Sequence, residues 1–321
     1  MSSFSPIHLH SDQLHVSVMP KGGALTAVRL GAEGRNLLVG FADLENHLAI
    51  PAYAGVLVGP VANRLARGQL TIDGNRYQMP LNEAGRTTLH SGPDGIHQSD
   101  WRVAAQSETE VQMALTLPDG AQGLPGTRDL TVRYAVTGDS LTVEITATSD
   151  QPTPMNIALH PYWNLDGTPD ISQHRLEVQA DHYLPTDAEN LPTGTPSPVS
   201  GTLYDFTKAR PVPLTEALDH NFCLAHHERD TPALAATLTG ADGTTLSIET
   251  TAPGLQGYAG AFLPAMKGVR DDGSDLAPYA GLALEPQAWP DAPNHPTFPQ
   301  ITLRPGEVWR QLTRYRFVKG S

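Results

Sequence analysis

Several short runs set ionisable or hydrogen-bonding side chains at the ends of apolar stretches. Glu285 closes Leu282-Ala283-Leu284 and is followed by Pro286, which cannot continue a ladder of backbone hydrogen bonds. A carboxylate at the end of an otherwise buried strand must be paired, hydrogen-bonded or put to use. His160 sits in Asn156-Ile157-Ala158-Leu159-His160-Pro161-Tyr162-Trp163-Asn164-Leu165, and His90 ends Thr87-Thr88-Leu89. Asn63-Arg64 follows Val56-Leu57-Val58-Gly59, and Asp219-His220-Asn221-Phe222 opens another apolar strand. A carboxylate and an imidazole together can act as general base and general acid: the first is normally ionised at neutral pH, and the second titrates near pH 6–7. Arginine's fork can hold two oxygens at once, and aspartate accepts strongly from hydroxyls. Taken one at a time, a lone His or Glu at a strand end is more commonly a solvated or internally satisfied residue.

Other chemistries lose support. There is no Gly-rich phosphate loop, no GxSxG elbow and no HExxH. The single cysteine, Cys223, excludes an internal disulfide and a cysteine-based zinc site, and its setting in Phe222-Cys223-Leu224-Ala225 reads as inert packing. His226 and His227 precede the charged Glu228-Arg229-Asp230. His8, His10 and His15 read as surface residues, and His97, His174 and His182 have no partner legible in the sequence. The 321 residues carry 21 Lys+Arg against 34 Asp+Glu, a formal net charge of −13, which argues against a general binder of nucleic-acid phosphates. No apolar run approaches the roughly 20 residues that span a bilayer. Residues 1–6 lack the basic and apolar regions of a signal peptide. The expectation is a soluble, cytoplasmic protein with no membrane or nucleic-acid partner.

The elements that must position these groups are strands. Leu130, Val132, Tyr134 and Val136 face one way, Thr137-Gly138-Asp139-Ser140 turns, and Leu141, Val143, Ile145 and Ala147 return. Strict alternation about a Gly/Asp turn is a half-buried antiparallel pair. Leu70 and Ile72 with Tyr77 and Met79 repeat the pattern, as do Leu234, Ala236 and Leu238 with Leu246 and Ile248. So does Ile301-to-Leu303, followed by Trp309, Gln311, Thr313 and Tyr315. Helical signals are few; Thr215-Glu216-Ala217-Leu218 could form one turn. With 29 Gly and 28 Pro, the chain favours many short elements. The expectation is an all-β, large antiparallel β-sandwich in one domain spanning 1–321, with 185–202 a long surface loop.

In combination and in order, these runs resemble the aldose 1-epimerases, or galactose mutarotases. The most specific part is Leu284-Glu285-Pro286-Gln287, Pro290-Asp291-Ala292-Pro293-Asn294-His295-Pro296 and Leu303-Arg304-Pro305-Gly306-Glu307. Ala62-Asn63-Arg64, Leu89-His90-Ser91-Gly92, the His160 run, Asp219-His220-Asn221-Phe222 and Pro253-Gly254-Leu255-Gln256 support it. The resemblance implies the mutarotase type of β-sandwich. It also implies interconversion of the α and β anomers of a free monosaccharide, an aldohexose or aldopentose, by ring opening and closure. Glu285 would be the general base and His160 the general acid, with His90 assisting at the ring oxygen. Arg64, Asp219 and Gln256 would bind hydroxyls, supported by Asn63, and neither cofactor nor metal would be needed. Pro60, Leu159, Pro161, Trp163 and Ser91 depart from the commoner family residues and are expected to alter the pocket walls; Trp163 is either core or a stacking surface for sugar. Alternatives are a hexose-6-phosphate 1-epimerase, with Arg67 and Arg86 as phosphate ligands, and a non-catalytic sugar-binding module. A glycoside hydrolase using Asp219 and Glu285 would need carboxyl groups about 5–5.5 Å or about 6.5–9.5 Å apart. Monomer and homodimer are equally open.

Overall fold

The hairpin read from residues 130–147 is the spine of the largest sheet. The computed structural model describes residues 4–215 and 218–320; Glu216 and Ala217, half of the turn expected at 215–218, lie outside them. Strands Arg128–Thr137 and Ser140–Ser149 pair in register, Val132 opposite Ile145 and Tyr134 opposite Val143, closing at Thr137 opposite Ser140. The sheet has nine antiparallel strands, with Trp309–Val318 at its centre, between Ser140–Ser149 and Thr245–Thr250. Along Trp309–Val318, Trp309, Gln311, Thr313, Tyr315 and Phe317 are buried and the residues between them are more exposed, as the alternation predicts.

A six-stranded sheet and a three-stranded sheet complete the sandwich. The first runs Tyr162–Trp163, Leu282–Gln287, Gly254–Tyr258, Asp219–Cys223, His182–Tyr183, Ser197–Pro198; the second is Ile7–His10, Leu14–Met19, Ala24–Leu30. Leu282, Leu284, Leu255 and Phe222 from the former and Leu9, Leu14 and Val16 from the latter share one apolar core with Val132, Val143, Ile248 and Tyr315 of the large sheet. Two buried polar bonds tie the layers: Tyr134 Oη donates to the Gly23 carbonyl at 2.6 Å, and Gln311 Nε2 donates to the Pro286 carbonyl at 3.0 Å. Gly281 leads into Leu282–Gln287 where a Cβ would stand 2.8 Å from Tyr162 Cβ and 2.7 Å from Val39, so only glycine lets these segments meet.

One alternation fails. The sequence pattern places Leu234 on the same face as Ala236 and Leu238, but a bulge between Leu234 and Ala236 shifts the register against Thr245–Thr250. The extra residue turns Leu234 out to 42 % exposure while Ala235, Ala236 and Leu238 are buried. Helical structure among the described residues is limited to Asn46–Ala49 and three single turns of 3-10 helix. No helix among them is long and apolar enough to cross a membrane.

The period of two is what makes a site. In Leu282–Gln287 every residue is buried; Leu282 and Leu284 enter the core, so Glu285 faces the opposite side. Glu285 is opposite Gln256, Gln256 opposite Asn221, and Tyr258 opposite Asp219, so these polar groups share one face. Leu284→Ala is expected to lower unfolding free energy by about 2–5 kcal/mol through the cavity it leaves. Arg314→Ala, which removes an exposed 2.8 Å pair with Glu249, should cost under about 1 kcal/mol. Urea titration of both variants checks this; an equal loss in the two would contradict the placement of Leu284.

Candidate active site

Seven side chains nominated from sequence (Glu285, His160, His90, Arg64, Asn63, Asp219 and Gln256) line one cavity of about 260 Å³. That is below the roughly 300–1,000 Å³ of drug-sized sites, so it suits one sugar ring. Gln256, Asp219 and Glu285 come from the six-stranded sheet. Arg64 begins Arg64–Ala66, which pairs with Thr87–Leu89, and His90 follows that partner strand. His160 follows Ala158–Leu159, which pairs with Leu57–Val58; its backbone N–H donates to Val56 and its carbonyl accepts from Gly55.

His160 Nε2 lies 3.4 Å from Glu285 Oε1, and both side chains are almost fully buried. Glu285 Oε2 and Gln256 Oε1 are buried without a protein partner; such acceptors call for a donor, and sugar hydroxyls are donors. Gln256 Nε2 donates to Asp219 Oδ1 at 2.6 Å, and Arg64 Nη1 approaches Asp219 Oδ2 at 3.5 Å. Loss of solvent, reinforced by the charge of Asp219 and opposed by Arg64, pushes the Glu285 carboxyl well above the ordinary carboxylate range. Burial lowers the His160 imidazole to about 4. The 3.4 Å contact favours an ion pair, but burial is the larger effect on both groups. The pair therefore carries one proton from about pH 4 up to the raised carboxyl value.

His90 is fixed by its backbone. The Asn63 N–H donates to His90 Nδ1 at 3.1 Å, so in the neutral ring Nε2 carries the hydrogen. Burial, with the neighbouring His160, Arg64 and His97 charges, holds His90 well below its ordinary value, so it stays neutral and presents a donor. Asn63 Oδ1 accepts from the Arg64 N–H at 2.8 Å. Asn63, His90, Ser91 and Tyr53 all have positive φ, from 51° to 66°; such strain persists only where surrounding contacts enforce it. The ligand atoms of His90, His160 and Glu285 fall within 4.8 Å of one another, close enough to share a metal ion. The Asn63 N–H opposes this, because ligation through His90 Nε2 would require a hydrogen on the Nδ1 that already accepts.

Sequence reasoning missed Glu83, Tyr53, Tyr162, Tyr258 and Phe262, which also line the cavity. Glu83 and Tyr53 lie in loops, where no period marks a side chain's direction. Tyr53 packs edge-on to His90 and His97, with ring centroids 4.6 and 5.1 Å away. Tyr258 Oη accepts from the Phe262 N–H at 2.7 Å, and Phe262 stands 73 % exposed at the mouth. The structure decides one open reading, corrects two expectations and supplies partners for two histidines. Trp163 is fully buried against Tyr315 and Phe317, so it is core and cannot stack on sugar. Pro60, Leu159, Pro161, Trp163 and Ser91 do not line the cavity, so these departures are not themselves wall residues. Arg67 and Arg86 line a separate, larger groove, where Arg86 pairs with Glu189 at 3.1 Å. His97 and His174 are buried and have partners that the sequence does not show: His97 packs edge-on to Tyr53, and His174 Nε2 accepts from the Leu165 N–H at 2.9 Å. Cys223 matches its inert reading, since burial pushes its thiol up to about 12.

A sandwich carrying a buried carboxylate–imidazole pair in a polar, sugar-sized cavity defines a carbohydrate-directed protein equipped for proton transfer. The family model for aldose 1-epimerase matches residues 6–316. The chain is 39 % identical to galactose mutarotase from Rattus norvegicus over 96 % of this chain and 92 % of that one. It is 36 % identical to aldose 1-epimerase from Escherichia coli (strain K12), over 94 % and 92 %. Among solved structures, an aldose epimerase homologue from C. elegans superposes with a TM-score of 0.91 at 29 % identity, covering 99 % of each chain. Galactose 1-epimerase from Lactobacillus acidophilus gives 0.83 at 28 %, covering 98 % and 95 %. The chain belongs to the aldose 1-epimerase family.

A carboxyl whose value is raised by folding contributes stability below its unfolded value, about 4.5, and loses it as pH rises through the folded value. Glu285→Gln is isosteric and has no such proton. The variant's Tm should therefore match the parent's near about pH 5 and exceed it increasingly toward about pH 9. A gap that does not widen with pH in calorimetry would contradict the direction assigned to Glu285.

Proposed function

We propose that this chain is an aldose 1-epimerase, an isomerase that interconverts the α and β anomers of a free, uncharged aldohexose or aldopentose, galactose and glucose among them. One observation carries the reading: Glu285 and His160 stand 3.4 Å apart, buried in a cavity sized for one sugar ring. Glu285 Oε2 takes the proton of the C1 hydroxyl while His160 gives one to the ring oxygen. The C1–O5 bond breaks, the C1–C2 bond rotates, and the steps reverse on the other carbonyl face. The reacting form is the ion-pair tautomer of this one-proton pair: opening converts its carboxylate and imidazolium into the neutral pair that burial favours, and closure restores both, so no proton is exchanged with solvent. Each placed proton transfer contributes roughly 10²–10⁴-fold.

His90 donates from Nε2 near the ring oxygen. Arg64, Asp219 and Gln256 orient hydroxyls, and Asn63 holds the turn. Phe262 offers its ring to an apolar sugar face, the role once open to Trp163. Hexose phosphates fit less well: among the described residues lining the cavity, Arg64 is the one Lys or Arg, and two carboxylates already engage it. A non-catalytic module has no use for a buried proton-transfer pair. A hydrolytic nucleophile must turn one carboxylate oxygen to the anomeric carbon, whereas both oxygens of Asp219 have protein partners, Oδ1 in Gln256 and Oδ2 in Arg64. The sandwich is proposed as one domain, because its main core joins residues from Ile7 to Phe317.

The pH profile of kcat/KM for anomer exchange tests this. Below about pH 4, His160 gains a second proton for the pair and no base remains; above the raised Glu285 value the pair is empty and no acid remains. A bell with its acid limb near pH 4 and its alkaline limb well above 4.5 is expected, and His160→Ala should lower kcat by at least about 10²-fold. A change confined to KM would make His160 a binding residue only.

A further inference from the structure

The arginine in the cavity is already occupied by the protein. Arg64 Nε donates to Glu83 Oε2 at 2.9 Å and Nη2 donates to Oε1 at 2.9 Å, a two-pronged match of fork to carboxylate. Nη1 lies 3.5 Å from Asp219 Oδ2. A guanidinium has five N–H donors, so one on each Nη remains for a substrate. Glu83 is itself held in place. The Thr87 hydroxyl donates to Oε2 at 2.7 Å, and a bridge between Glu83 and Thr87 closes a tight turn through Ala84 and Gly85, both at positive φ. Desolvation opposes the charge on Arg64, but the bonds to Glu83 and the field of Asp219 outweigh it; Glu83 in turn is held below its ordinary value by Arg64 despite partial burial.

The geometry of the fork is what a substrate carboxylate or phosphate would use. We infer that Glu83 is a positioning and specificity-determining residue: it fills the Arg64 fork with an internal anion, leaving single donors for neutral hydroxyls and shutting out anionic sugars such as uronates and sugar phosphates. The inference rests on the mutarotase reading of the same cavity. It also follows from charge, since Glu83, Asp219 and Glu285 surround a single guanidinium. Glu83 has a second effect through Arg64. The guanidinium favours ionised Glu285, and Glu83 offsets that charge, so removing it should make Glu285 lose its proton at lower pH.

Glu83→Gln and Glu83→Asp test this beside the parent. Each is checked for folding by circular dichroism, then assayed by polarimetry on galactose, glucose, galacturonate and glucose 6-phosphate across pH. In Glu83→Gln, KM for neutral sugars should rise about tenfold with kcat changed less. The ratio of neutral to anionic kcat/KM should fall at least tenfold, and the alkaline limb should move to lower pH. Glu83→Asp keeps the charge and should keep the selectivity. A folded Glu83→Gln with the parent's selectivity ratio and alkaline limb would overturn the inference while leaving the mutarotase reading intact. A parent that accelerates none of the four sugars would overturn both.

Discussion

A carboxylate buried in the middle of a core strand is the constraint on which this molecule depends. Removing an ion from water costs several kcal/mol even after the protein relaxes. Glu285 is surrounded accordingly: His160 stands beside it, Arg64 supplies a compensating field, and one oxygen is left unpaired for a ligand. The cost has a chemical use. Burial raises the carboxyl and lowers the imidazole, which drives the pair toward its neutral form, and that is the form reached when a hemiacetal opens. A site of this kind gives up stability in exchange for a proton poised to move.

The sandwich meets this constraint through strand pairing and the loops through polar bonds. Cross-strand partners (Asp219 with Tyr258, Gln256 with Glu285) form the polar floor because period-two alternation sends Phe222, Leu255 and Leu284 into the core. The walls come from turns at positive φ, where the Asn63 backbone fixes the tautomer of His90 and the Glu83 turn fixes Arg64. A rigid floor with polar, strained walls presents acceptors and donors to hydroxyls without large rearrangement.

The strands were legible because half-buried sheets write their two faces into the sequence, as Leu130–Ala147 does. The same rule misplaced Leu234, since a bulge adds one residue without any mark in the apolar pattern. Glu285 was conspicuous as a charged residue after three apolar ones. His160, His90, Arg64, Asp219 and Gln256 gained meaning only together, through family resemblance. Glu83, Tyr53 and Phe262 escaped notice because loop residues are aimed by turn geometry that spacing does not encode. Trp163 was ambiguous because a large aromatic beside a catalytic motif suits core and sugar equally; only its contact with Tyr315 and Phe317 decides.

The central claim, that Glu285 moves the anomeric proton, is tested most directly by polarimetry on freshly dissolved α-D-galactose and α-D-glucose. The parent and Glu285→Gln would be compared at equal concentration, with sugar binding measured in parallel. The account predicts acceleration of anomer exchange by the parent and none above the uncatalysed rate by the variant, which still binds sugar. Acceleration by the variant at the parent's rate would contradict it and remove Glu285 from the chemistry.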